Sequence, residues 1–165
     1  MNSVTSNGVY NALATYRSAS YYNAGYYSDK YILIGKIITM DNTGNKDSSF
    51  VVRLFKYDLN GFPFTAIFAG SIRANGNVAT SVNAKCHNIF GQFNSKIVCT
   101  WESIGTNQFE LKLYFHFTIM WERVCIEVLN SAIGDIGDSF NRVAVELPME
   151  IVETIQGTTI NIEFN

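Results

Sequence analysis

Charge is scarce in this chain. Asp, Glu, Lys and Arg make up 16% of its 165 residues, and the formal net charge is −2. An ordinary soluble domain carries about 25% charged residues. With no basic stripe, the chain lacks the electrostatic footprint of a nucleic-acid binder. No apolar run reaches the ~18–20 residues of a membrane-spanning helix, so no membrane insertion is expected. Residues 1–15 have neither a basic n-region nor an apolar h-region, so no signal peptide is expected there. The signatures G-x-S-x-G, H-E-x-x-H and Walker A are all missing, so no recognised nucleophile, zinc or phosphate motif points to an enzyme. The three cysteines, Cys86, Cys99 and Cys125, form no C-x-x-C pair and cannot all pair within one chain. They read as reduced thiols of a protein assembled in a reducing cytoplasm.

What the chain has is apolar and aromatic residues, 47% and 14% respectively. From Tyr31 onward they recur with a period of two. In Phe109–Ile119 every odd position is apolar, the mark of a strand with one face on a core. The same alternation runs through Val78–Cys86, Ile97–Trp101, Val124–Val128, Val143–Leu147 and Ile160–Phe164. Residues 31–40 are apolar on both faces and predict a strand covered on both sides, with a neighbouring subunit as one candidate cover. Asn60-Gly61 predicts a hairpin between Phe50–Asp58 and Phe62–Ile72. Between Ile119 and Val124 the inward parity switches, which calls for a bulge or a tight turn. Asn130–Ser139 reads as a Gly/Asp-rich loop. About eight or nine short strands predict an all-β fold, an antiparallel β-sandwich or jelly-roll-like head.

Several groups carry side chains capable of chemistry. His116 falls on the polar face of its strand beside Lys112 and Tyr114, and His87 points outward next to Lys85. Both read as surface residues rather than a metal pair. Cys86 and Cys99 project inward, while Cys125 projects outward with Arg123 and Glu127, where a partner surface would cover it. Asp41, Thr43, Asn45 and Asp47 put oxygens at alternate positions, as calcium loops do. EF-hand spacing is absent, however, and the same residues serve ordinary strand connections. Glu102, Glu110, Glu122 and Glu127 fall on outward faces and read as solvation rather than as a glycosidase pair. No cofactor and no catalytic residue are expected.

The first sixteen residues differ from the rest. Thr5 or Ser6 can cap a short helix, and Val9, Ala12, Leu13 and Tyr16 share one face of it. Two heptads, about 16 Å, form a seam that can set register among subunits but cannot hold them together. A tyrosine-rich segment follows, with Tyr21, Tyr22, Tyr26 and Tyr27. These rings could cover the base of the head, pack at an interface, or make a flat platform for sugar rings. The boundaries are therefore 1–17 for a neck helix, 18–30 for a linker and 31–165 for the head.

The segment Asn2-Ser-Val-Thr-Ser-Asn-Gly-Val-Tyr-Asn-Ala-Leu13 resembles a module of bacteriophage tail fibres and related receptor-binding proteins, N-x-V-T-S-x-x-V-Y-x-A-L. Val4, Thr5, Ser6, Val9, Tyr10, Ala12 and Leu13 match it, while Ser3 stands where that pattern often has Pro. The resemblance implies a homotrimer in the virion, built in the host bacterial cytoplasm. Its neck would be formed by Val9, Ala12, Leu13 and Tyr16, and its heads would attach to a bacterial surface glycan or protein. Other virion tail proteins would be its partners, and the natural chain is expected to extend before Met1. Two other readings are a structural or baseplate-docking knob and a glycan hydrolase. Family binding residues sit in variable loops, so the candidates come from this chain alone: Tyr57, Trp121, His116, Asn42, Asn45, Asn130 and Asp135.

Overall fold

The computed structural model describes residues 18–23, 29–40, 45–57, 63–75, 78–105, 108–118, 121–135 and 145–165. The expected neck, with Val9, Ala12, Leu13 and Tyr16, lies outside these residues, as does Asn42. The described chain is all β, with strands β1 (Ser18–Tyr22), β2 (Lys30–Met40), β3 (Asn45–Tyr57), β4 (Phe64–Asn75), β5 (Val78–Phe90), β6 (Ile97–Gly105), β7 (Gln108–Phe117), β8 (Arg123–Asp135), β9 (Glu150–Val152), β10 (Thr158–Ile160) and β11 (Ile162–Phe164). They form a six-stranded sheet in the order β1-β8-β3-β4-β5-β11 and a five-stranded sheet in the order β10-β6-β7-β2-β9. Every pairing is antiparallel except β11 with β5.

Alternation places the core between the sheets. Phe50, Val52, Leu54, Phe68 and Ile72 come from the six-stranded sheet, and Ile32, Leu111, Leu113, Phe115 and Phe117 come from the other; all are at most 1% exposed. The sheets approach closely at Gly70, where an added Cβ would lie 2.9 Å from the Leu111 side chain. The hairpin expected around Asn60-Gly61 is present as β3–β4, with Lys56 opposite Phe64 and Asn45 opposite Asn75. Ordinary two-sheet burial accounts for most of the period-two pattern.

Five expectations change. The two-sided apolarity of β2 reflects a bulge between Leu33 and Gly35, which shifts parity so that Ile32, Ile34 and Ile37 are all buried. Leu33 faces outward but is 6% exposed, beside Tyr114 and Glu150 in register, so this chain itself provides the cover there. Residues Ser18–Tyr22, expected in a linker, form β1 on the edge of the six-stranded sheet, with Tyr21 packed on Phe117 at 5.8 Å. Of the strand expected at 143–147, residues 143–144 lie outside the described residues, and the rest makes one bridge, between Lys36 and Glu146. Pro148 offers no N–H, and Met149 has φ 52°. Ile160–Phe164 is not one strand: β10 pairs with β6, β11 pairs with β5, and the chain crosses between sheets at Asn161. Of the loop expected at Asn130–Ser139, residues 130–135 belong to β8, and the rest lies outside the described residues.

Candidate functional site

The parity switch between β7 and β8 coincides with a turn residue, Trp121. Trp121 takes φ 67°, a left-handed conformation unusual for a bulky residue. Two backbone hydrogen bonds hold it: Trp121 N–H donates to the Asn23 carbonyl at 3.1 Å, and Asn23 N–H donates to the Glu122 carbonyl at 2.8 Å. These bonds zip the end of β1 to the start of β8. Strained positions of this kind concentrate at functional sites.

Beneath the turn, Glu122 points into the sandwich with a fully buried side chain. Its Oε1 lies 2.9 Å from both Lys56 Nζ and Lys96 Nζ, and its Oε2 accepts the Thr118 N–H at 3.2 Å. Lys96 also bonds the Thr118 hydroxyl. The expectation of an outward, solvated Glu122 is therefore corrected. The left-handed Trp121 sets the alternation that follows, so Trp121 is exposed and Glu122 buried.

The same in–out alternation places aromatics on the outer side. Lys56 is buried and Tyr57 exposed, and Asn23 is buried and Tyr22 exposed. In register, Tyr22 and Tyr57 both lie opposite Arg123, making one row across β1, β8 and β3. The Tyr22 and Trp121 ring centroids are 6.3 Å apart, and the Arg123 guanidinium carbon is 5.2 Å from the Tyr22 centroid. Tyr22, Tyr57 and Trp121 are 40%, 48% and 44% exposed. Two further rows follow on this face: Ser20–Cys125–Phe55, then Ser18–Glu127–Arg53, the last held by an Arg53–Glu127 ion pair. Residues of these rows line a shallow groove of about 320 Å³. Cys125 is half-buried, and burial pushes its thiol up, with Arg123 and Ser20 acting in the opposite direction.

The outer face of the five-stranded sheet is different. Glu110, Lys112 and Tyr114, expected on a solvated face, are 7%, 7% and 2% exposed. Residues 145–156, which carry β9, border this face and narrow it to a groove of about 380 Å³. An ion-pair ladder crosses it. Lys36 Nζ lies 3.5 Å from Glu110 and 2.9 Å from Glu146, while Lys112 Nζ lies 2.9 Å from Glu110 and also bonds Glu102. The Glu146 hydrogen bond raises the Lys36 ammonium above its ordinary value despite burial. Burial pulls Lys112 down, but its bonds to Glu102 and Glu110 outweigh that and leave it raised. Glu110 is thus shared between two ammonium groups, and the ladder as a whole ties β2, β7 and β6 together.

The structure divides the candidates read from the sequence. It brings Tyr57 and Trp121 to one face. His116 lies on the outer face of the opposite sheet, stacked on Tyr31 at 4.3 Å with Nε2 2.7 Å from Asp29 Oδ1. Asn130 sits within β8 opposite Val51, away from any loop. Asn45 begins β3 and Asp135 ends β8, so both lie at the far end of β3 from Tyr57, roughly 40 Å along the strand. Sequence reasoning missed Tyr22 and Arg123 as part of the site. The tyrosine-rich segment was the signal for Tyr22, and no local pattern marks Arg123.

Among the described residues no group of three or more His, Cys, Asp or Glu is placed to hold a metal ion. Comparison of the chain with family models, curated proteins and solved structures found no significant match.

Proposed function

We propose that this chain is the tip domain of a trimeric phage tail fibre, attaching without covalent chemistry to a bacterial surface receptor, most simply a glycan. The observation that carries this reading is the exposed cluster of Tyr22, Trp121, Tyr57 and Arg123 on one sheet face. Aromatic rings offer flat apolar area with polar tips, which suits the faces and hydroxyls of sugars. A strained Trp121 held by two backbone bonds favours a preorganised surface. The phrase at residues 2–13 supports the virion assignment, and a three-helix neck at 1–17 would align three such faces. Linked sites gain avidity through effective concentration, so weak binding per head suffices. We also read the head as jelly-roll-like. The adjacent β1–β8 and β2–β7 pairings belong to that plan, although β3, β4 and β5 continue as a meander in one sheet.

Two measurements test the proposal. Light scattering of the full chain should give a trimer; a monomer at micromolar concentration removes the trimer. Val9→Asp with Leu13→Asp should weaken the trimer while leaving the head folded. Fluorescently labelled protein should bind host cells or purified surface polysaccharide, and Trp121→Ala or Tyr57→Ala should abolish that binding. Binding that survives both substitutions overturns the assignment of this face.

A further inference from the structure

Arg123 sits at the centre of the aromatic row, between Tyr22 on β1 and Tyr57 on β3. Among the described residues no carboxylate pairs with it, whereas Lys36, Arg53, Lys56, Lys85, Lys96 and Lys112 each face one. The acids nearest in sequence are already engaged. Glu127, two rows along, is held by Arg53, and Glu122 points inward to Lys56 and Lys96. An exposed guanidinium lying over a tyrosine ring keeps its position while its N–H edge is free to donate. That edge is a fork that matches the two oxygens of a carboxylate or phosphate.

We propose that Arg123 selects a saccharide bearing an anionic substituent, carboxylate or phosphate, whose sugar ring lies against Tyr22, Trp121 and Tyr57. The inference rests on the reading of this face as a receptor site and specifies the ligand class. Rings supply area without regard to charge. Arg123 supplies the discrimination, because a neutral sugar leaves its fork without an anionic acceptor.

The test is calorimetric titration of the full chain with three probes: a glucuronate-containing hexasaccharide, the same hexasaccharide with its carboxyls reduced to alcohols, and a phosphorylated neutral hexasaccharide. At least one anionic probe should bind about tenfold more tightly than the reduced one. Arg123→Gln should erase that difference and leave the reduced probe within about twofold. Lys85→Gln, on β5, controls for general charge and should change nothing. Which anionic probe wins separates a carboxylate ligand from a phosphate ligand. Equal binding of all three probes, or an unchanged preference in Arg123→Gln, overturns anion selection. If Trp121→Ala still weakens every probe in that case, the platform reading stands. If no probe binds, or if Trp121→Ala dissociates the oligomer, the face is not a saccharide site and both readings fall.

Discussion

The buried carboxylate of Glu122 lies 2.9 Å from the ammonium of Lys56, and each residue is the chain neighbour of an exposed aromatic. Lys56 precedes Tyr57, and Glu122 follows Trp121. Asn23, which follows Tyr22, exchanges backbone bonds with the same turn. Taking these charges out of water costs several kcal/mol, which close pairing must offset. The return is geometric. Three segments far apart in sequence share one buried anchor, and their outward side chains share one surface.

Glu122→Gln should therefore be far more costly than loss of a surface pair. It removes the carboxylate that Lys56 and Lys96 share and should lower stability by about 3–5 kcal/mol in urea unfolding. Glu127→Gln, which breaks the solvent-exposed pair with Arg53, should cost less than about 1 kcal/mol. Equal effects would show that the buried cluster anchors nothing.

Gly91 should not tolerate a side chain. Its φ is 72°, and an added Cβ would lie 1.7 Å from the Phe64 ring. That ring packs edge-on against the buried Phe93 at 6.1 Å. Gly91→Ala should destabilise by about 2–4 kcal/mol, combining backbone strain with displacement of Phe64. A thermal unfolding midpoint matching wild type would contradict the packing described at this turn.

The three thiols should differ in reactivity. Burial raises Cys86 to about 11 and raises Cys99 further still, whereas Cys125 is half-buried on the outer face. At pH 8 a thiol reagent should label Cys125 first and slowly. Cys86 and Cys99 should react only at the rate of unfolding, as peptide mapping by mass spectrometry would show. A bound glycan on this face should slow the Cys125 reaction.

Alkaline pH should erode stability through every group that folding raises, Cys86 and Lys36 among them. Cys86 is raised from 9.0, so stability from its neutral thiol is complete below pH 9 and falls as pH climbs toward 11, because the unfolded thiol ionises first. Lys36 is raised above 10.5, chiefly by its hydrogen bond to Glu146. Its contribution is complete below pH 10.5 and disappears as pH rises through the folded value. Urea midpoints followed from pH 8 to 11.5 should fall. Cys86→Ala should flatten the earlier part of the decline and Lys36→Met the later part.

Much of the head was legible in residue order. The odd positions of Phe109–Phe117 are all buried, as alternation requires, and the Asn60-Gly61 hairpin pairs β3 with β4. Cys86 and Cys99 are buried, as their parity indicated. The even positions of β7 depart from their residue types. Lys112 and Glu110 look solvated by type, yet they are buried because Lys36, Glu102 and Glu146 satisfy their charges and residues 145–156 lie alongside. The reset at Trp121 was visible as a parity switch. Its consequence, an inward Glu122, depended on the turn conformation.

By itself the sequence determined the class of the fold, because an alternating apolar pattern satisfies its backbone and buries its side chains only as strands in facing sheets. It also determined the low charge and the inward parity of Cys86 and Cys99. Only the tertiary structure decided that Tyr22, Arg123 and Tyr57 form one row. Those residues belong to β1, β8 and β3, and their pairing is long-range. Strand order depends on how whole sheets close over a shared core, and no short window of residues encodes it.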